Sequence, residues 1–113
     1  YLEAIVREPG AHVRMAHLAF EPDGPRIELF EYLEPAGGHV VGRTADVGFA
    51  HVCVLVDDIH GVLQRLVAAG GRPLSEVIGV DTGANAGTLC VYLRDPDGHV
   101  LELFQAAPAG AGT

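Results

Sequence analysis

Two glutamates, Glu28 and Glu102, stand at equivalent places in a repeated segment. "PDGPRIELF" (residues 22–30) returns as "PDGHVLELF" (residues 96–104), identical at six of nine positions, with Ile27 matched by Leu101. Each glutamate is set in an apolar run. A buried carboxylate without a partner costs several kcal/mol, so it needs a metal, a cation or a raised pKa. Strand alternation puts Val100, Glu102 and Phe104 on one face and Leu101 and Leu103 on the other. Both faces are apolar, which predicts a strand buried on both sides. Glu28 shares a face with Arg26 and Phe30, and an ion pair with Arg26 is its plain alternative. For Glu102 the alternatives are an ion pair with an arginine or an exposed edge. His51 heads the run "FAHVCVLV" and shares a face with Phe49, Cys53 and Leu55. Alone, such a histidine reads as a hydrogen-bonded core residue. Together, two carboxylates and an imidazole from a doubled unit can converge on one divalent ion. Oxygen and nitrogen ligands without thiolate suit Zn, Ni, Mn, Co or Fe(II). His12, His17, His39, His60 and His99 read as surface or structural residues.

The elements that must hold these residues follow from periodicity. "YLEAIVRE" (residues 1–8) reads as a strand ending at the Pro9-Gly10 turn, and "HVRMAHLAFE" (12–21) as a second. Pro22-Asp23-Gly24 makes a tight turn with glycine free to take positive φ. "RIELFEYL" (26–33) is a third strand. In the second half, residues 49–56 form a strand and Asp57 or Asp58 caps a helix. Ile59, Val62, Leu63, Leu66 and Val67 recur at helical spacing until Gly70-Gly71 ends it. "PLSEVIGV" (73–80) reads as a strand, a Gly/Ala/Asn loop follows, and residues 88–94 and 99–105 pair around Asp95-Pro96-Asp97-Gly98. The second half is thus β-α-β-β-β, and the first half shows β-β-β with the same turn. The expected organisation is 1–34 as the remainder of a first module, 35–48 as a linker, 49–106 as a second module and 107–113 as a flexible tail. Subtracting the 74-residue offset from His51 gives −23. The first module's opening strand and helix are therefore expected ahead of Tyr1, with a fourth ligand at the position matching His51.

Composition excludes several classes of function. The chain has 113 residues, 49% hydrophobic, with a net charge of −8 and seven arginines but no lysine. That suits one compact domain and argues against nucleic-acid or anionic-membrane partners. No apolar run reaches the ~18 residues that span a bilayer. Cys53 and Cys90 lack metal-type spacing and read as small buried hydrophobes in a reducing compartment. The expected location is the cytoplasm.

The segments "GFAHVCVLVDDIHGVLQRLVAAG" (48–70), "VYLRDPDGHVLELFQ" (91–105) and "RIELFEYLEP" resemble the vicinal oxygen chelate superfamily. This group includes glyoxalase I, methylmalonyl-CoA epimerase, extradiol dioxygenases and the bleomycin and fosfomycin resistance proteins. The resemblance implies an α+β fold of paired βαβββ modules, a mixed sheet curled around a metal. It implies that His51, Glu102 and Glu28 are metal ligands. The family's remaining ligand, a histidine or glutamine, has no counterpart here.

The favoured expectation is a glyoxalase-like lyase or isomerase with a divalent metal cofactor. It would act on a small oxygen-chelating substrate through an enediolate-type intermediate, with Glu102 or Glu28 shuttling the proton. One alternative is an extradiol-type Fe(II) dioxygenase using His51 and Glu102, for which Tyr92 and His17 remain open as second-sphere partners. The other is a non-catalytic small-molecule (drug) binding protein. A homodimer is expected on family grounds.

Overall fold

The computed structural model describes residues 1–40 and 42–109. The chain divides into two compact units, Tyr1–His39 and Val40–Thr113, and the fold is α+β with open sheets.

The first unit contains helix α1 (Leu2–Val6) and strands β1 (His12–Ala19) and β2 (Arg26–Glu34). The strand expected over residues 1–8 is instead this one-turn helix. Leu2, Glu3 and Ala4 favour helix more than Ile5 and Val6 favour strand. The Tyr1 carbonyl accepts from the amides of Ala4 (3.2 Å) and Ile5 (3.3 Å). Arg7, at φ 56°, closes the turn just ahead of Pro9. β1 and β2 pair antiparallel, with Met15 opposite Phe30 and His17 opposite Glu28. In the connecting turn the Gly24 amide donates to the Glu21 carbonyl at 3.2 Å. Gly24 does not use the positive φ that its sequence allows.

The second unit runs β3 (His51–Leu55), α2 (Ile59–Ala68), β4 (Arg72–Pro73), β5 (Ile78–Gly79), β6 (Leu89–Arg94) and β7 (Val100–Gln105). The sheet order is β3-β7-β6-β4, with β5 also on β6. β3 lies parallel to β7 and β6 antiparallel to it. A parallel neighbour needs a crossover, and α2 provides it. The Asp58 side chain caps α2 by accepting from the Gly61 amide at 3.1 Å. Gln105 adds a second tie, its Oε1 accepting from the Ile59 amide at 2.8 Å. Gly70, at φ +105°, lets the Gly71 amide fold back onto the Leu66 carbonyl at 2.8 Å.

The continuous strand expected over 73–80 is broken into β4 and β5. Pro73 has no amide to donate, and the Ser75 hydroxyl turns to the Glu76 carbonyl at 2.7 Å. The β6–β7 hairpin forms as expected. Asp95 Oδ1 accepts from the amides of Asp97 (2.9 Å) and His99 (2.8 Å), and Gly98 sits at φ +96°.

The core consists of Ile59, Val91, Leu93 and Leu103, all at most 2% exposed. Val54, Val56, Val62, Leu63, Leu66 and Leu101 pack against it. β7 is therefore not sealed on both sides, as its composition predicted. The Leu101/Leu103 face meets the core, and Glu102 lies on the other face. Val41 and residues 110–113, the end of the expected tail, lie outside the described residues. No helix among the described residues is long and apolar enough to cross a membrane.

Candidate functional site

Glu102 lies in the middle of β7, the strand flanked by β3 and β6. The parallel register sets Cys53 beside Glu102 and His51 beside Val100. His51 is thus a diagonal neighbour of Glu102 on the same face, within reach of a long side chain. Its Nε2 lies 2.9 Å from Glu102 Oε2, with the side chains 36% and 16% exposed. The pair is shielded on one side and open on the other.

Three more side chains converge here. Cys90 donates its thiol proton to Glu102 Oε1 at 3.2 Å. Tyr92 stands opposite Glu102 in the antiparallel register. Its hydroxyl lies 3.3 Å from His51 Nε2, and its ring centroid 4.8 Å from the imidazole. Cys53 completes the set from β3. Sequence reasoning treated both cysteines as buried hydrophobes. Both are free thiols, Cys53 exposed and Cys90 half-buried. Cys90 and Tyr92 were legible in principle. The alternation that puts Glu102 with Val100 and Phe104 also puts Cys90, Tyr92 and Arg94 on one face of β6.

The electrostatics follow from one carboxylate among neutral donors. Desolvation pushes the Cys90 thiol up to about 11, helped by its bond to Glu102 and by the Glu102 charge. Desolvation also raises Cys53, with the Glu102 charge second. Tyr92 rises for the same two leading reasons. Both thiols therefore keep their protons near neutrality in the metal-free protein.

Glu28 has a different setting. Its side chain is 57% exposed, so it is not the buried carboxylate that the repeat predicted. Its partner is His17 Nε2 at 3.5 Å, from the opposite strand, rather than Arg26. In the first unit β1 and β2 pair only with each other, so the same alternation buries less there.

The arrangement of a β-α-β-β-β unit with a histidine on its first strand and a glutamate on its last can be compared with known proteins. A sequence model described as the Glyoxalase/Bleomycin resistance protein/Dioxygenase superfamily matches residues 2–103. The chain belongs to this superfamily. A glyoxalase family protein from Bacillus cereus shares the fold, at a TM-score of 0.78 and 24% identity over 95% of this chain and 70% of that one. The chain is 38% identical over 74 residues to a probable lactoylglutathione lyase of Vibrio parahaemolyticus, covering 63% of this chain and 51% of the relative. It is 35% identical over 102 residues to a 2-epi-5-epi-valiolone epimerase of an Actinomyces species, covering 89% and 55%. It is 30% identical over 100 residues to a biphenyl-2,3-diol 1,2-dioxygenase of Rhodococcus globerulus, covering 83% and 50%. The chain spans about half the length of these curated relatives.

In this glyoxalase-superfamily chain, one imidazole nitrogen and one carboxylate oxygen face each other across 2.9 Å. That pair fits two positions of a divalent ion such as Zn, Ni, Mn, Co or Fe. Among the described residues, no group of three or more His, Cys, Asp or Glu is arranged to hold one.

Proposed function

We propose that the protein is a metal-dependent lyase or isomerase of the glyoxalase type, acting on a small substrate that offers two adjacent oxygens. The observation that carries this reading is the contact between His51 Nε2 and Glu102 Oε2, open to one side of the sheet. The relatives named as a lactoylglutathione lyase and as an epimerase support a lyase or isomerase reaction class. When bound, a divalent ion supplies Lewis-acid stabilisation to oxygen that gains negative charge. His51 holds a fixed nitrogen donor at the head of β3. Glu102 is the proton carrier, taking the proton from the carbon next to a carbonyl and returning it. Glu28 enters the proposal as a ligand through the repeat alone.

Elemental mass spectrometry on the wild type, Glu102→Ala and Glu28→Ala tests this. A stoichiometric divalent ion in the wild type, lost in Glu102→Ala, is the expected result. Retention by Glu28→Ala removes Glu28 from the ligand set. No metal in the wild type after reloading overturns the enzyme reading and favours a small-molecule binding protein.

A second reading is an Fe(II) dioxygenase. The Tyr92 hydroxyl beside His51 favours it, because oxygen chemistry at iron calls for a proton donor next to the ligands. Bound iron with oxygen uptake on a catechol would select this branch.

A further inference from the structure

The two oxygens of Glu102 have different partners. Oε2 faces His51 Nε2 at 2.9 Å, and Oε1 accepts from Cys90 at 3.2 Å. In the register Cys90 lies opposite Phe104, two residues from Glu102. Its thiol therefore reaches diagonally across β7 to the carboxylate. The proposed reaction uses His51 and Glu102 and gives Cys90 no role.

The geometry points to Cys90 as a positioning residue: its thiol holds Oε1 of Glu102 and leaves Oε2 as the oxygen offered at His51. This rests on the reading of Glu102 as ligand and proton carrier. The choice of a thiol has chemical consequences. A neutral S–H is a weak donor. It orients a carboxylate without placing a full positive charge beside it. An arginine in contact would lower the basicity of Glu102 and hold it in a forked ion pair. Arg94 lies on the same face of β6, but its guanidinium donates to the carbonyls of Gly98 (2.8 Å) and Gly42 (2.7 Å). The neighbouring cation is thus engaged elsewhere, and Oε1 of Glu102 has the neutral Cys90 thiol as its donor. A glutamate held this way stays oriented and still able to accept a proton.

The test uses Cys90→Ala and Cys90→Ser, with Cys90→Val replacing the alanine variant if that one does not fold. Two readouts apply. One is zinc affinity by competition with a chelating indicator. The other is the infrared S–H stretch of Cys90 in metal-free protein, read in a Cys53→Ala background with and without Glu102→Gln. Cys90→Ala is expected to weaken zinc binding by roughly 10–100-fold, as loss of a hydrogen bond to a ligand does. Cys90→Ser, which keeps a donor, is expected to stay near wild type. The S–H band is expected below the free-thiol frequency and to move when Glu102 becomes glutamine. Wild-type zinc affinity in Cys90→Ala overturns the inference. So does equal weakening by serine and alanine, which marks a packing effect. If the wild type binds no zinc, the ligand reading fails by itself. The S–H band then decides alone, and a band at the free-thiol frequency that does not respond to Glu102→Gln overturns the role of Cys90.

Discussion

Glu102→Gln should make Cys90 a more reactive thiol. The Cys90 thiol is pushed from its ordinary 9.0 up to about 11. Alkylation proceeds through the thiolate. At about pH 8 an ordinary thiol is roughly 10% thiolate and one at 11 roughly 0.1%, so Cys90 should react about 100-fold more slowly than an unfolded cysteine. Desolvation is the largest cause, followed by the bond to Glu102, its charge, and Cys53. Glutamine keeps the side-chain size and removes the charge while leaving the desolvation. The rate should therefore rise and remain below that of unfolded protein. The assay is iodoacetamide labelling of metal-free protein from about pH 7 to 11, with Cys90 and Cys53 peptides resolved by mass spectrometry. A wild-type midpoint near the ordinary thiol value would refute the reasoning, and so would identical profiles for wild type and variant. The shift also acts on stability. The folded value lies above the unfolded one, so its contribution is complete below about pH 9 and is lost as pH rises towards 11. Glu102→Gln should reduce that alkaline loss.

Three further outcomes test the scaffold by urea unfolding. Leu103→Ala should destabilise by about 3 kcal/mol, because Leu103 is 1% exposed and packs with Ile59, Val91 and Leu93; a loss below about 1 kcal/mol would mean that β7 is not sealed against α2. Asp58→Ala should cost about 1 kcal/mol through loss of the cap on Gly61, and no change in the unfolding midpoint would remove Asp58 as the helix start. Gly98→Ala should cost about 1 kcal/mol or more, because Gly98 sits at φ +96°. Gly24→Ala should cost less, and equal losses would contradict the difference between the two turns.

The sequence made the second unit largely legible. Alternation located β6 and β7, helical spacing located α2, and Asp57 or Asp58 and Gly70-Gly71 marked its ends, with Asp58 proving to be the cap. Alternation could not tell a face packed under a helix from a face that lines a site, because both carry apolar residues. Val100 and Phe104 made the Glu102 face look like core, and Cys53 and Cys90 looked like filler for the same reason. Their role depends on cross-strand partners, which composition does not encode. In the first unit, helix formers over Leu2–Ala4 outweighed Ile5 and Val6. In this two-stranded sheet Met15 is 49% exposed and Phe30 38%, along with Glu28.

The repeat carries a subtler limit. The strands after the two Pro-Asp-Gly turns correspond at a constant offset of 74 residues, so Glu28 maps to Glu102. The strands before the turns do not. Ala19 pairs with Arg26, which leaves residues 20–25 as the connection, whereas Arg94 pairs with Val100, which leaves 95–99. The first connection is one residue longer. A shift of one residue turns every side chain of a strand to the opposite face. Carrying Tyr92 back by the constant offset gives 92 − 74 = 18, which is Leu18. The residue opposite Glu28 is His17. The two glutamates therefore share a position in the repeat but not the residue opposite on the preceding strand: Glu28 stands opposite His17, whereas Glu102 stands opposite Tyr92 and meets its imidazole, His51, from β3. The near-identical nine-residue copies hide this difference because it arises in the strand before the turn. That strand sets the residue opposite each carboxylate.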